Sequence, residues 1–310
     1  MLARVSVVAL NTYREAVRAR VLHGLFALAL ATAGYSLVVG AFALNSSLRV
    51  VSDLGAASIS IYGIVVAVVL GATSLYRELE LKTIFPILAR PIRRSEYLVG
   101  KYLGTVLTLA VFIAANSGVL LLALAVESGG ALLAPLSVAV GCTVLLAAIA
   151  IRSVRFRTFL PIPWALIILI AGAYFASAAP DDRRVVLGSA LLTLSEVALV
   201  TAIATVFSSF SSPFLTAIFT FGVFAVGRSA DTLARLPPRV FGAALTSIGR
   251  FLAKVVPNLM VYVPPRPLLT GEMSGPSLAS YLGMAVVHSL AWSVLLLTCA
   301  SVLFRRRDFL

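Results

Sequence analysis

Charged residues are scarce in this chain. Asp, Glu, Lys and Arg make up 12% of its 310 residues, whereas about a quarter of a soluble domain's residues are charged. The mean hydropathy is +1.04, and several apolar runs approach or exceed the roughly 18–20 residues that cross a bilayer core as a helix. This composition excludes a soluble globular domain. Because the apolar runs are continuous rather than alternating, a transmembrane β-barrel is excluded as well.

Cysteine, histidine and catalytic motifs are also scarce. The two cysteines, Cys142 and Cys299, fall in apolar runs, so we expect small core residues rather than a disulfide. The two histidines, His23 and His288, have no partner at the spacing of a metal site. The sequence contains no HExxH, CxxC or nucleophile-elbow motif. An intramembrane enzyme therefore has little support, and we expect this chain itself to bind no metal or cofactor.

The few charges are mostly positive. Lys and Arg number 25 against 12 Asp and Glu, which gives a net charge of +13. Such an excess can indicate nucleic-acid binding, but we attribute it to basic residues retained on the cytoplasmic side of a membrane. We therefore expect membrane lipid, and no nucleic acid, among the partners. Residues 3–20 contain four Arg and predict a partly amphipathic helix in the cytoplasmic interface, with its arginines toward lipid headgroups.

The apolar runs predict an all-α polytopic membrane protein with about eight transmembrane helices. The predicted spans are 22–43, 57–76, 97–125, 132–151, 159–178, 185–208, 213–228 and 279–304. Residues 132–178 are either two full spans or an extra hairpin, so the count is six to eight. Ser95 is predicted to be the N-cap of the third span. Polar loops are predicted around Arg49 and Asp53 and at 180–184.

The distribution of basic residues predicts the orientation. With the N-terminus inside, 16 Lys and Arg lie on the cytoplasmic side and 3 in short outside loops. The remaining cations belong to residues 229–278 and their border, a long segment that carries little weight in the positive-inside rule. Both termini are therefore predicted to be cytoplasmic, in a plasma (inner) membrane. Residues 229–278 are rich in Pro and Gly, and we expect them to cap the extracytoplasmic side as short interfacial helices.

One charged stretch, residues 77–101, interrupts the apolar runs with six Lys or Arg and three Glu. Four apolar residues in it recur at i, i+3, i+4 and i+7 and predict one helix face: Leu81, Ile84, Phe85 and Leu88. Glu78 and Lys82 form a favourable i, i+4 pair on the other side. Pro86 and Pro91 predict that this helix then breaks and turns. The stretch is thus predicted to be an amphipathic cytoplasmic helix and a turn that leads into the third span.

By charge alone these residues fit an ordinary basic cytoplasmic loop. Their order, however, resembles the signature of type-2 ABC transporter permeases, in which Glu and Thr precede a hydrophobic helix, Pro-hydrophobic-x-Arg-x-Glu and Gly-Lys. The matching residues are Glu78, Thr83, Pro91, Ile92, Arg94, Glu96, Gly100 and Lys101. The family usually has Gly before the Thr, where this chain has Lys82.

Other stretches resemble the same family in the same order along the chain. They are residues 11–20, 207–213 with Thr220 and 227–228, 257–259, and 304–309. The resemblance implies a single transmembrane permease domain over residues 1–310. It also implies an elbow helix at 3–20 and a cytoplasmic coupling segment at 77–95.

The resemblance further implies that the chain works with other subunits. A separate nucleotide-binding subunit would hold ATP and Mg and hydrolyse the ATP, and a second permease subunit would complete the membrane unit. The residues implied to couple to the ATPase subunit are Glu78, Lys82, Thr83, Phe85, Pro91, Arg94 and Glu96. The implied function is ATP-driven transport, in the sense of an exporter, of a substrate that no residue pattern identifies.

No nucleotide site of its own is visible in the chain. Gly100 and Lys101 would need Gly at position 95 and Ser or Thr at position 102 to form a P-loop. Ser95 and Tyr102 occupy those positions, so the match fails twice. The chain is therefore expected not to be an enzyme by itself.

Three polar residues fall inside predicted spans. Glu196 lies near the middle of the sixth span, where a charge costs about 2.5–3.5 kcal/mol on insertion scales. We expect it to face protein or a water-filled path, either as a substrate-path residue or as an interhelical contact. Asn116 and Ser117 in the third span are expected to hold helices together.

Two other classes of function stay open at the level of sequence. A self-sufficient secondary transporter or channel would call for an inverted internal repeat, and the two halves show no convincing one. A membrane enzyme or scaffold would act without an ATPase subunit.

Overall fold

The computed structural model describes residues 2–43, 46–80, 93–129, 133–153, 156–273 and 277–305. Within those ranges every regular element is helical, as apolar stretches require when each backbone group must be satisfied inside its own segment. The α-helices are α1 Leu2–Val17, α2 Arg20–Ala41, α3 Ser47–Glu80, α4 Arg94–Glu127, α5 Leu133–Arg152, α6 Pro161–Phe175, α7 Pro180–Ser208, α8 Pro213–Arg228, α9 Ala230–Ala234, α10 Pro238–Val255, α11 Arg266–Thr270 and α12 Leu278–Arg305. Two 3-10 turns, Ala176–Ala178 and Leu259–Tyr262, complete the list.

Seven of these helices are long and apolar enough to cross a membrane: α2, α3, α4, α5, α6, α7 and α12. They confirm the prediction of an all-α polytopic membrane protein. Residues 132–178 hold two span-length helical segments, α5 and α6, and the α6 segment reaches 18 residues because the 3-10 turn Ala176–Ala178 continues it. The remaining predicted span, α8, has the predicted bounds but only 16 residues. At 1.5 Å per residue it is about 24 Å long, which is shorter than the roughly 30 Å of a bilayer core.

Three local predictions are wrong. Helix α3 begins at Ser47, so Arg49 and Asp53 lie in its first turns as an i, i+4 pair with 3.8 Å between their charged atoms, and not in a loop. Helix α7 begins at Pro180, with Asp181 and Asp182 in its first turn, where proline and acidic side chains suit the positive end of the helix dipole.

The predicted cap of α4 is the third. The N-cap is Arg93 rather than Ser95, and the Glu96 carboxylate accepts a hydrogen bond from the Arg93 amide at 3.1 Å. This single capping bond, from the Arg93 amide to the Glu96 carboxylate, starts α4 one turn before the apolar run. The cysteines also differ from expectation, because Cys299 is exposed and Cys142 is partly exposed.

The core is built where α3, α4 and α7 pack together. Small residues allow close approach of the helices. A Cβ placed on Gly71 of α3 would lie 2.5 Å from the Cβ of Ala204 in α7. One placed on Gly118 of α4 would lie 2.6 Å from the Leu169 amide nitrogen of α6. Helix α5 lies at the edge of this core, and Pro135 is its one buried residue among those described.

The bundle has two ends, which we name by their contents. The proximal end holds α1, the start of α4 and the last turns of α7 and α12, which share a buried cluster around Tyr97, Leu98 and Phe304. The distal end holds the starts of α3 and α7 and helix α11, which meet around Arg266. Helices α3 and α7 therefore run from the distal to the proximal end, and α4 runs the opposite way.

Residues 229–273 form the short helices that the sequence suggested, but they do more than cover one end. Leu259 is fully buried and Tyr262 nearly so, both packed against α7 and α12. The Asn258 side chain caps this turn by accepting from the Met260 amide at 2.9 Å. A Cβ placed on Gly227 would lie 2.8 Å from the Pro257 carbonyl oxygen. The segment around 257–262 is therefore inserted beside the end of α8.

Candidate functional site

An ion pair lies deep in the bundle, between α7 and α8. Glu196 Oε2 accepts a hydrogen bond from Arg228 Nη2 at 2.8 Å. Glu196 is 1% exposed, and Arg228 is the last residue of α8, where a cation suits the negative end of the helix dipole. The glutamate predicted to face protein or a water-filled path therefore has a charged partner, which lowers the large cost of a buried carboxylate.

Each residue of this ion pair has one polar atom that the pair does not use. Glu196 Oε1 and Arg228 Nε are both buried, and neither has a hydrogen-bond partner within the described ranges. Buried polar groups almost always have a protein or water partner. A site with one unused acceptor, Glu196 Oε1, and one unused donor, Arg228 Nε, is suited to bind water or a polar ligand group.

A charged cavity of about 370 Å³ lies next to this pair. Its walls come from α3, α7, α8 and the 262–269 segment, and Arg228, Tyr262, Arg266 and Asp53 line it. Volumes of roughly 300–1,000 Å³ are typical of ligand sites. The cavity places two arginines and one aspartate around a space that reaches from the distal end to the depth of Glu196.

Arg266 fixes the distal end of the cavity. It bonds to Asp53 of α3 and donates to Ser52 Oγ of α3 at 3.1 Å and to Asp182 Oδ1 of α7 at 2.5 Å. Ser52 Oγ also donates to Asp182 at 2.7 Å. We name this set, Arg266 with Ser52, Asp53 and Asp182, the distal clamp. It joins two helices that wall the cavity.

Tyr262 forms the inner part of the cavity wall. Its hydroxyl lies 3.0 Å from His288 Nδ1 of α12. Burial raises the pKa of Tyr262 well above its ordinary value, because a phenolate would lose the hydration that it has in water. At physiological pH the tyrosine is therefore neutral, and it lines the same cavity as Arg228 and Arg266.

The other two intramembrane polar residues do not join this site. Asn116 Nδ2 donates to the Phe112 carbonyl of its own helix at 2.8 Å. Asn116 and Ser117 are buried in α4, next to the point where Gly118 meets α6. Neither residue lines the charged cavity. The interpretation that they hold helices together stays a prediction.

Four residues of the 77–101 stretch form a junction at the proximal end, which we name the proximal junction: Arg94, Glu96, Gly100 and Lys101. Arg94 Nη1 donates to the Phe304 carbonyl of α12 at 3.3 Å. Glu96 Oε2 lies 4.0 Å from Arg4 Nη1 of α1. Lys101 is 5% exposed and donates to the Ser74 carbonyl of α3 at 3.3 Å and to Glu15 of α1 at 3.5 Å. The start of α4 is thus bonded to α1, α3 and α12.

Two glycines make the junction with α1 close. A Cβ on Gly100 would lie 2.6 Å from Val8 Cβ, and one on Gly104 would lie 2.4 Å from the Ala9 carbonyl oxygen. Their spacing is that of the GxxxG pattern, which allows two helix backbones to meet. The pattern is readable in the sequence as a signal of close helix approach to α4, and the structure identifies α1 as the helix that approaches.

The rest of the predicted coupling set lies outside the described residues. This applies to Lys82, Thr83, Phe85 and Pro91, and to the side chain of Glu78. Arg94 and Glu96, which belong to the same predicted set and are described, contact α12 and α1 of this chain. Arg228, Tyr262 and Arg266 were missed as site residues. Arg228 was noted only as part of the resemblance at 227–228, and Tyr262 and Arg266 lie in a proline-rich segment without a ligand signature.

The fold and the site together define a class: the chain is an all-α, multi-pass membrane protein. The structure shows no group of three or more His, Cys, Asp or Glu placed to hold a metal ion in the residues that it describes. No protein-family model matches the chain, and no curated protein sequence matches it.

Proposed function

We propose that this chain is the transmembrane permease subunit of an ATP-binding cassette transporter, of the exporter type. A separate subunit binds ATP and Mg and hydrolyses the ATP, and a second permease subunit completes the membrane unit. The chain itself is not an enzyme. It lies in the plasma (inner) membrane with both termini in the cytoplasm.

The observation that carries the proposal is the connection between the 77–101 stretch and the charged cavity. Helix α3 enters this stretch at its proximal end and carries Asp53 of the distal clamp at its other end. With 34 residues it is about 50 Å long. One continuous helix thus joins the docking segment implied by the resemblance to the cavity wall.

The proximal junction supports the same proposal. Since α4 is bonded at its start to α1, α3 and α12, a push on the preceding segment moves several helices together. Coupling between distant sites needs elements that move as units. The substrate would bind in the cavity beside Arg228, whose Nε has no hydrogen-bond partner among the described residues and can donate to an accepting group of a ligand.

The proposal is tested by purification of the tagged full chain from its native membrane. We expect an ATP-hydrolysing subunit to co-purify with the wild-type chain and to be lost from Glu78→Lys. The matched control is Glu127→Lys. Glu127 is the last residue of α4, at the end away from the 77–101 stretch, and this variant should retain the ATPase subunit. A functional complex from the native membrane that has no ATPase activity would contradict the proposal.

A second candidate, a self-sufficient secondary transporter, is favoured by one observation. Helix α8 is too short to span and ends beside a buried carboxylate, as interrupted helices do in such transporters. Transport by the purified chain alone in liposomes, driven by an ion gradient without ATP, would establish this function instead.

A further inference from the structure

A second cavity, separate from the charged one, lies between α2, α4, α5 and α6. Its volume is about 410 Å³, within the range of ligand sites. Most of its lining is apolar, including Phe26, Phe112, Leu146 and Trp164. We name it the α5 cavity.

The α5 cavity exists because α5 lies away from the core. One polar contact, from Trp164 Nε1 to Thr143 Oγ1 at 3.0 Å, joins α5 to the aromatic floor of the cavity. Phe26 completes that floor by edge contacts, with ring centroids 6.2 Å from Trp164 and 6.0 Å from Phe112. A void with an apolar lining loses dispersion contacts. In a bilayer, the material at hand to fill it is a hydrocarbon chain.

The charged residue that lines the α5 cavity is basic. Arg157 lines it together with the polar His23, and none of the described lining residues is acidic. Both lie near its proximal end, since His23 is in the first turns of α2 and Arg157 precedes α6. The Arg14 guanidinium lies 4.6 Å from the Phe159 ring centroid in the same region. An apolar space with cations at one end matches an acyl chain with an anionic headgroup.

We propose that the α5 cavity binds one phospholipid of the bilayer, with an acyl chain along Leu146 and Trp164 and an anionic headgroup at Arg157 and His23. The guanidinium of Arg157 provides the paired N–H donors that suit a phosphate group. The site does not depend on the proposed transport function, because it shares no residue with the charged cavity or the proximal junction.

Trp164 gives a direct test. The chain has two tryptophans, so Trp292→Phe leaves Trp164 as the sole reporter. The full-length variant in a mild non-ionic detergent is titrated with phosphatidylglycerol whose acyl chains carry bromine, a fluorescence quencher. We expect saturable quenching near one lipid per chain. Brominated phosphatidylcholine should bind about tenfold more weakly, since it lacks a net negative charge.

Three variants in the same background complete the test. Arg157→Gln should remove the preference for phosphatidylglycerol. Ala147→Phe should fill the cavity and abolish saturable quenching, whereas Ala148→Phe, on the next and equally exposed residue that does not line it, should leave quenching unchanged. Ala150→Phe replaces Ala147→Phe if that variant elutes as an aggregate.

Several results would overturn the proposal. Quenching that rises without saturation, or that is equal for both lipids, indicates only general contact with surrounding lipid. Quenching that survives both filling variants places the lipid elsewhere. Protection of Trp164 that depends on protein concentration and not on lipid would assign the cavity to a second copy of this chain.

Discussion

Glu196 and Arg228 form an ion pair, 2.8 Å between the closest atoms, at the point where α8 ends inside the bundle. The pair joins α7 to α8 and borders the charged cavity. It accounts for a carboxylate at a depth where an unpaired charge is expensive.

The first prediction concerns this pair. Arg228→Met should lower the free energy of unfolding by about 3 kcal/mol, because it leaves a buried carboxylate without its partner. The double variant Glu196→Leu/Arg228→Met should recover most of that loss. Unfolding of the purified chain in detergent measures both, with exposed Arg250→Met as the control, expected within about 0.5 kcal/mol of wild type. Equal losses in the single and double variants would show that the two side chains do not interact.

The second prediction concerns the contact of α1 with α4. Gly104→Ala places a methyl group against the Ala9 carbonyl oxygen, so the helices must separate, with a loss of about 1–3 kcal/mol. Gly141→Ala on α5, where a Cβ would meet nothing within 4 Å, should be neutral or slightly stabilising. Thermal unfolding of the two variants side by side checks this, and equal stability of both would refute the close contact.

The third prediction is a pH dependence at α1. Tyr13 is fully buried, and burial raises its pKa to about 12 from an ordinary value of 10.0. Because the pKa of Tyr13 is higher in the folded than in the unfolded chain, folding is favoured fully while the tyrosine is neutral, below about pH 10. This contribution to the free energy of unfolding is lost as the pH rises toward 12. The docking of α1 should therefore weaken over that interval, as followed by protease cleavage within residues 2–17.

Tyr13→Phe serves as the control for this pH dependence. The Tyr13 hydroxyl is buried and has no hydrogen-bond partner among the described residues, so its removal should cost little stability at pH 7. The variant should also cleave less than wild type between pH 10 and 12. Identical alkaline profiles for the two proteins would assign the change to other groups.

The fourth prediction concerns the distal clamp. Arg266→Gln removes charged hydrogen bonds to Asp53 and Asp182, and a loss of about 1–2 kcal/mol is expected because Asp53 is half exposed. Arg235→Gln, on an exposed side chain, should change little. Thermal unfolding of the two variants beside wild type measures both changes. A loss of stability in Arg266→Gln that Arg235→Gln does not share supports the clamp, and equal stability of the two variants contradicts it.

The hydropathy pattern was enough to predict the long apolar helices. It did not predict the side-chain contacts that fix where these helices begin and end. The bounds of α8 follow from the apolar run at 213–228, yet its end inside the bundle depends on the 257–262 segment. Arg49 and Asp53 were assigned to a loop because they are charged. In the helix they form an i, i+4 pair with each other, and Arg266, more than 200 residues later in the chain, also bonds to Asp53.

The signature at 77–101 shows a second limit. Its residues predicted a docking surface for another subunit, but a sequence does not say whether a charge meets a partner protein or a neighbouring helix. Glu96 and Lys101 contact helix α1 of the same chain. The pairing of Glu196 with Arg228 could not be predicted from the sequence either, because it depends on how α7 and α8 pack.

The central claim, that an ATPase subunit docks on the segment between α3 and α4, is tested most directly by site-specific crosslinking. A photo-reactive amino acid replaces Phe85 in the full chain, and Tyr174, exposed near the distal end of α6, is the matched control position. After irradiation in native membranes, the account predicts a crosslinked product that contains an ATP-binding subunit from position 85 and none from position 174. Absence of an ATP-binding subunit at position 85, in a chain that still sustains transport, would contradict the account.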